Sequence, residues 1–311
     1  MSNTAWVFPG QGSQVVGMGY ELAQKYPEIA ELYSRADEVL GFSLSGLCFD
    51  GPEAELTRTD NAQPALLVTS LAHLKAIQLR QPEALDEPPL FVAGHSLGEY
   101  TALVANGSLK FEDALKLVRE RGRLMNQAGQ GESGGGSGMV AVIGADDNQL
   151  EDLARQTGVE VANYNSPGQT ALSGTSEALA RFTLAAKEAG IKRVIPLPVS
   201  AAFHSTLMRP MAAELGKLIG EITFSPARFP LVSNVTAQPL PLDDAAALRQ
   251  ELTVQTYSPV RWVESVRTMY NGGATRFVEI GTGKVLGGLI KRIEKSVEVV
   301  NSEEVLKNVE G

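Results

Sequence analysis

Chemistry is most legible in the pentapeptide Gly94-His95-Ser96-Leu97-Gly98. Leu90 to Ala93 is a short apolar run after a Pro-Pro pair and reads as a buried strand. Leu97 to Ala105 reads as a helix that stops at Gly107. A Gly-x-Ser-x-Gly segment at a strand-to-helix turn is the setting of a nucleophile elbow. The glycines let strand and helix pass closely. The serine hydroxyl then projects at a helix N-terminus, where backbone N–H groups and the helix dipole stabilise developing negative charge. The plainer alternative is a tight turn with an inert serine; the flanking strand and helix favour Ser96 as a nucleophile.

A serine hydroxyl needs a base, and histidine is the usual one at neutral pH. His95 is adjacent to Ser96, where neighbouring side chains diverge, and His73 sits between Leu71 and Leu74 as an ordinary helix residue. His204, in the polar turn Ala201-Ala202-Phe203-His204-Ser205, is the candidate base. In the helical pattern that begins near Ser108, Phe111, Leu115, Val118 and Met125 form an apolar stripe, while Lys116, Arg119, Glu120 and Arg123 face outward. Arg121 is spaced to point where Leu117, Val118, Leu124 and Met125 point. An inward guanidinium needs an anion, because an unpaired buried charge is very costly. Two partners are open: a core carboxylate in a structural ion pair, or the carboxylate of a substrate.

The elements around these residues alternate. Thr4 to Phe8 reads as a strand, Tyr20 to Val39 as one helix, and Gln63 to Leu79 as a second long helix with Pro64 near its start. Residues 129–138 are a Gly/Ser-rich hinge or surface loop. Strands at Met139–Ile143, Val159–Tyr164, Gln169–Ser173 and Lys192–Leu197, with helices at Asp147–Gln156 and Ser176–Ala189, then give the order β-α-β-β-α-β. That order is ferredoxin-like and has the length of a small inserted subdomain. The last third returns to α/β. It has a helix from Leu207 to Ile222, a strand from Pro230 to Asn234 and a helix from Pro259 to Tyr270. A strand from Arg276 to Ile280, a helix from Val285 to Ile293 and an edge strand at Val297–Asn301 complete it.

Composition sets the outer bounds. A chain of 311 residues, 43% hydrophobic and 20% charged, is a soluble globular protein of one or two domains. Its net charge of −9 argues against nucleic acid and anionic membranes as partners. No apolar run approaches the roughly 18 residues of a membrane span, and no signal-peptide pattern opens the chain. The expectation is a cytoplasmic protein, read as a monomer. Cys48 is the only cysteine, which excludes an internal disulfide, and with three histidines no zinc site is expected. Two glycine-rich loops fail as phosphate or dinucleotide motifs: Val15 stands where the third glycine would follow Gly10 and Gly12, and Val285 follows Gly281-Thr282-Gly283-Lys284 in place of Ser or Thr.

Four separated motifs carry a family resemblance. They are Phe8-Pro9-Gly10-Gln11-Gly12-Ser13-Gln14, Gly94-His95-Ser96-Leu97-Gly98-Glu99-Tyr100, Arg121-Gly122-Arg123-Leu124-Met125 and Phe203-His204-Ser205-Thr206-Leu207-Met208. Asn163 to Gln169, and Gln255 with Pro259-Val260-Arg261-Trp262, add support. The chain resembles, end to end, the malonyl-CoA:acyl carrier protein transacylases and the discrete acyltransferases of polyketide assembly. The resemblance implies an α/β fold: an α/β-hydrolase-like catalytic part at 1–128 and 201–311, interrupted by the ferredoxin-like part at 129–200.

It implies a ping-pong transfer of malonyl from CoA, through a malonyl-Ser96 ester, to the phosphopantetheine thiol of an acidic carrier protein, with no bound cofactor. His204 would be the base, oriented by a backbone carbonyl near Gln255. Gln11 and the Leu97 N–H would form the oxyanion hole, and Arg121 would clamp the malonyl carboxylate. Met125, Phe203, Asn165 and Gln255 would contact substrate. Phe203 in Ala201-Ala202-Phe203-His204, and Leu97 after the nucleophile, side with malonyl over methylmalonyl, although Ala201 departs from the family's malonyl pattern. Lys284, Lys291, Arg292, Lys192 and Arg193 are candidates for a basic docking patch. Other readings are an acyl hydrolase on the same scaffold, an acyltransferase using a substituted malonyl-CoA, and a binding module with a vestigial elbow.

Overall fold

Two four-stranded sheets organise the chain. The structure, a computed structural model, describes residues 3–80, 88–130 and 136–307. The middle of the Gly/Ser-rich segment, 131–135, lies outside the described residues. One sheet is wholly parallel, with spatial order β2-β1-β7-β8, built from β1 (Thr4–Phe8), β2 (Phe91–Gly94), β7 (Arg276–Glu279) and β8 (Glu298–Asn301). The other is antiparallel, with order β4-β5-β3-β6, built from β3 (Ser137–Ile143), β4 (Glu160–Ser166), β5 (Gln169–Thr175) and β6 (Val194–Pro196).

Strand β1 shows why the parallel sheet forms where it does. Ala5 to Phe8 is a continuous apolar run with every residue buried, as expected of a parallel strand covered on both faces. Trp6 and Phe8 point into the larger core with Leu66, Leu103 and Val118, whereas Ala5 and Val7 point into a second core with Val266, Met269 and Ile290. Strands β1 and β2 run in register, Phe8 beside Gly94, so the loops after both open at the same end of the sheet. In open parallel sheets that carboxyl end is where ligand sites form.

Several elements depart from the sequence reading, each for a local reason. The expected helix from Tyr20 to Val39 is two helices, Tyr20–Lys25 and Pro27–Leu40, because Pro27 restarts the chain from extended Tyr26. The long helix beginning at Gln63 instead starts at Thr59 and ends at Arg80, which places Pro64 inside it. Proline cannot donate to the carbonyl four residues back. Arg119 Nη1 fills the gap, donating to Asp60 O at 2.6 Å. The helix expected near Ser108 starts at Phe111, and the one expected at Pro259 starts at Trp262. Val260 is instead hydrogen-bonded to β4: its N–H donates to Ala162 O and its O accepts from Tyr164 N–H. Pro230 to Asn234 is not a strand of either sheet. Only Leu231 bridges to Val92, and Val232 turns to pair with Pro239. Four short helices, Leu44–Asp50, Glu53–Thr57, Ala245–Val254 and Ser302–Lys307, escaped the sequence reading.

Two close approaches set the position of the elbow. An added Cβ at Gly94 would lie 1.9 Å from Gly98 C, and one at Gly98 would lie 2.0 Å from Phe8 O. Neither position has room for any side chain, so the glycines let β2, its helix and β1 stack without a gap. At Gly122 a Cβ would meet Thr59 O at 2.6 Å, so the helix Phe111–Gln130 is pressed against the helix Thr59–Arg80 at the residue next to Arg121.

Candidate active site

Ser96 occupies a strained backbone conformation, φ 52° and ψ −104°, between β2 and the helix Leu97–Ala105. Such a conformation costs on the order of 1–3 kcal/mol for a residue with a side chain and persists only when its surroundings impose it. Both backbone groups of Ser96 are held from outside. Its N–H donates to Asn234 Oδ1 at 2.8 Å, and its carbonyl accepts from Gln255 Nε2 at 2.9 Å. The turn therefore presents the serine side chain in one direction.

His204 lies on that side. Its Nδ1 is 2.8 Å from Gln255 O, a carbonyl that can only accept, so Nδ1 carries the proton. Nε2 is then bare and accepts from Ser96 Oγ at 2.8 Å. The turn holding His204 is tied to the antiparallel sheet and its surroundings: Ser173 of β5 donates to Phe203 O at 2.5 Å, Ala202 N–H donates to Ser137 Oγ, and His204 N–H donates to Thr256 O. Burial, with the Arg121 charge adding to it, pushes the His204 pKa down to about 3. The imidazole is neutral at physiological pH and able to take a proton.

Arg121 also reaches the serine. Its Nη2 donates to Ser96 Oγ at 3.0 Å and to Gln255 Oε1 at 2.9 Å, and its Nη1 donates to Gln63 Oε1 at 2.8 Å. The guanidinium is 1% exposed and stacks over the Tyr100 ring at 5.4 Å. Every one of these hydrogen-bond acceptors is neutral, and no acidic side chain among the described residues pairs with it. Its Nε has no hydrogen-bond partner. Of the two anions open to it at the sequence level, the core ion pair is absent. Burial lowers its pKa from the usual arginine value.

Ser96, His204 and Arg121 line a cavity of about 240 Å³, together with Gln11, Leu97, Met125, Phe203 and Asn165. Gln11 stands at the end of β1, with Nε2 3.4 Å from Thr59 Oγ1. Leu97 is the first residue of its helix, where backbone N–H groups have no partner one turn back. Asn165 accepts from His95 Nε2 at 2.8 Å, which turns the His95 ring toward the antiparallel sheet. Gln255 departs from expectation. It was expected to touch substrate, but it is fully buried outside the cavity wall, and its side chain bridges Arg121, Ser96 O and Glu99.

Sequence reasoning passed over Gln63, Asn234 and Glu99. Gln63 reads as an ordinary helix residue and Asn234 as part of a strand. Glu99 did carry a signal: it is the one charged residue of the helix Leu97–Ala105, all but one of whose residues are buried. It accepts from Asn234 N–H at 2.9 Å and from Gln255 Nε2 at 2.6 Å. Burial, and repulsion from Glu251, push its carboxyl well above the usual carboxylate range. Among the described residues there is no His/Cys/Asp/Glu group able to hold a metal ion, and no helix is long and apolar enough to cross a membrane.

A neutral histidine on a serine hydroxyl, beside a buried cation, is the apparatus of an enzyme that carries an acyl group on serine. The acyl transferase domain model matches residues 5–309. The malonyl CoA-acyl carrier protein transacylase of Bacillus subtilis is 44% identical over 305 residues, which is 96% of this chain and 93% of that protein. The crystal structure of an acyl carrier protein S-malonyltransferase from Vibrio cholerae superposes with a TM-score of 0.89 at 42% identity, covering 96% of each chain. A malonyl-transacylase in complex with its type II PKS acyl-carrier protein superposes with a TM-score of 0.91 at 39% identity, covering 99% of this chain and 100% of that one. The chain belongs to the acyl transferase family, and it is an acyltransferase.

A fluorophosphonate reagent, which labels activated serines, is expected to modify the wild type at one site and to spare Ser96→Ala. His204→Ala should slow labelling by about 10²–10⁴-fold, as for loss of a general base. Only neutral imidazole accepts a proton, and His204 stays neutral well below the ordinary histidine value. Labelling should thus be flat between pH 8 and pH 5. A decline centred on the ordinary histidine pKa, about 6.5, would contradict the assignment.

Proposed function

We propose that this acyltransferase moves a malonyl group from malonyl-CoA to the phosphopantetheine thiol of an acyl carrier protein. The observation that carries the proposal is Arg121: a cavity-lining guanidinium beside the nucleophile with no carboxylate of its own. Malonyl-CoA supplies both missing pieces, a thioester for Ser96 and a carboxylate for Arg121. The names of the relatives favour the same substrate over a hydrolase or a substituted malonyl-CoA. The chemistry serves fatty acid and polyketide assembly alike.

In the first half-reaction Ser96 Oγ attacks the thioester carbonyl while His204 Nε2 takes its proton. Negative charge on the carbonyl oxygen faces the Leu97 backbone N–H and Gln11, the oxyanion hole. Collapse breaks the C–S bond, and His204 returns the proton to the departing CoA thiolate. In the second half-reaction the carrier thiol gives its proton to His204 and attacks the malonyl-Ser96 ester; the C–O bond to Ser96 breaks, and the proton passes to the departing Ser96 Oγ. No resident cofactor is needed. Met125 and Phe203 would shape the acyl pocket, and Asn165 would meet the pantetheine arm at the cavity wall.

For the domain arrangement, we read residues 1–128 and 201–311 as an α/β-hydrolase-like part and 129–200 as an inserted ferredoxin-like part. The β-α-β-β-α-β order and the strand order β4-β5-β3-β6 support that division. The protein would act as a cytoplasmic monomer that meets its acidic carrier transiently.

Of the five candidate docking cations, three are engaged elsewhere. Lys284 pairs with Glu304 at 2.5 Å, Lys291 donates to Val297 O, and Arg292 donates to Gln169 Oε1 at 2.7 Å. Lys192 and Arg193 are exposed just before β6, and the chain from there runs to Leu197, Pro198 and Val199 on the cavity wall. Lys192 and Arg193 are therefore the preferred docking pair. Reversing both to glutamate should raise KM for carrier protein and leave KM for malonyl-CoA unchanged; an unchanged carrier KM would remove the pair from the interface.

Arg121→Ala tests the substrate assignment. Loss of one partner of a buried charge pair costs on the order of 2–5 kcal/mol, so kcat/KM for malonyl-CoA should fall steeply. Acetyl-CoA has no distal carboxylate and should hold or improve. Arg121→Lys should rescue only in part, since it keeps the charge without the planar fork. Equal losses for the two substrates would make Arg121 a structural residue.

A further inference from the structure

Arg121 lacks a carboxylate in contact, yet the Glu99 carboxyl group stands one amide away. Gln255 Oε1 accepts from Arg121 Nη2 at 2.9 Å, and Gln255 Nε2 donates to Glu99 Oε2 at 2.6 Å. The second Nε2 hydrogen goes to Ser96 O at 2.9 Å. Both Nε2 hydrogens and the oxygen of this amide are engaged, and its orientation is fixed. Turned over, it would set NH₂ against the guanidinium and oxygen against the Glu99 carboxyl. Glu99 orients a second amide in the same way. Its Oε1 accepts from Asn234 N–H at 2.9 Å and from Asn234 Nδ2 at 3.2 Å, which leaves Asn234 Oδ1 to accept from Ser96 N–H.

We propose that Glu99 is a positioning and specificity-determining residue, acting through Gln255 to orient Arg121 without setting a carboxylate against it. The inference rests on the reading of Arg121 as the clamp and names what holds the clamp. A carboxylate in direct contact would cap the guanidinium and exclude substrate. With none behind it, Arg121 Nη2 would keep only the reactive Ser96 Oγ as its acceptor in the empty enzyme. One interposed amide supplies the acceptor without the cap. Glu251 is the other acidic group near Glu99 and interacts with it directly; its oxygens also accept from Ser233 Oγ at 2.7 Å and Val235 N–H at 3.1 Å, which anchors the loop after Leu231.

Glu99→Gln separates this role from packing, because the side chain keeps its size and loses one acceptor. The backbone N–H of Asn234 cannot turn, so the oxygen of the new amide stays with it and NH₂ faces Gln255. Gln255 must then flip and present NH₂ to Arg121. The ratio of kcat/KM for malonyl-CoA to that for acetyl-CoA should fall at least about tenfold, within the range of coupling between residues of one network. Gln255→Met removes the relay and should lower the ratio similarly, and adding Glu99→Gln to it should change the ratio less than about twofold. An unchanged ratio in Glu99→Gln, or additive losses in the double variant, overturns the proposal. If Glu99→Gln does not fold, Gln255→Met decides alone: an unchanged ratio overturns the relay. Arg121→Ala keeps the two readings apart. If it collapses the ratio while Glu99→Gln and Gln255→Met leave it intact, the clamp stands and the positioning role fails; if it leaves the ratio intact, the clamp itself fails.

Discussion

A guanidinium taken out of water without a counter-ion is the constraint on which the rest of this site depends. The desolvation of a charge costs several kcal/mol even after relaxation, and Arg121 meets that cost with three neutral acceptors and the face of Tyr100. Each acceptor is fixed by a different part of the fold. Gln63 comes from the helix Thr59–Arg80, Ser96 from the elbow, and Gln255 from the short 3₁₀ turn Gln255–Tyr257. The same turn supplies the carbonyl that orients His204. Charge recognition and proton transfer are thus built on shared supports, and a shift in one would be felt in the other.

Two of the three non-glycine residues with positive φ among the described residues lie in the site; the third is Ala237. Ser96 and His204 both have positive φ, at 52° and 57°. Each is pinned by hydrogen bonds from groups distant in sequence: Asn234 and Gln255 on Ser96, Thr256 and Gln255 on His204. This is how a reactive geometry is maintained through the catalytic cycle without being the local optimum of its own backbone.

Legibility of the sequence followed the range of the physics. The elbow was readable because its glycines and serine act within five residues, and the Cβ clashes at Gly94 and Gly98 are the same requirement seen in space. The inward direction of Arg121 was readable because helix periodicity is local. What it would meet there was not, since Gln63 and Gln255 are 58 and 134 residues away from it. Asn234 reads as the end of a strand because Leu231 and Val232 are apolar; both are buried, but each makes only an isolated bridge. Pro64 misplaced a helix start because its rescue by Arg119 comes from another helix. The oxyanion-hole roles of Gln11 and Leu97 come from resemblance, whereas Ser96 stands out from the elbow and His204 from the need for a base.

The central claim is that the cavity is built around a cation awaiting a substrate carboxylate, and ground-state binding measures this without chemistry intervening. Calorimetric titration of the Ser96→Ala protein with malonyl-CoA and with acetyl-CoA should show malonyl-CoA binding at least about tenfold more tightly, a difference of about 1.4 kcal/mol. Adding Arg121→Ala should bring the two affinities together by weakening malonyl-CoA alone. Equal affinities in the Ser96→Ala protein, or a preference for malonyl-CoA that survives the loss of Arg121, would contradict it.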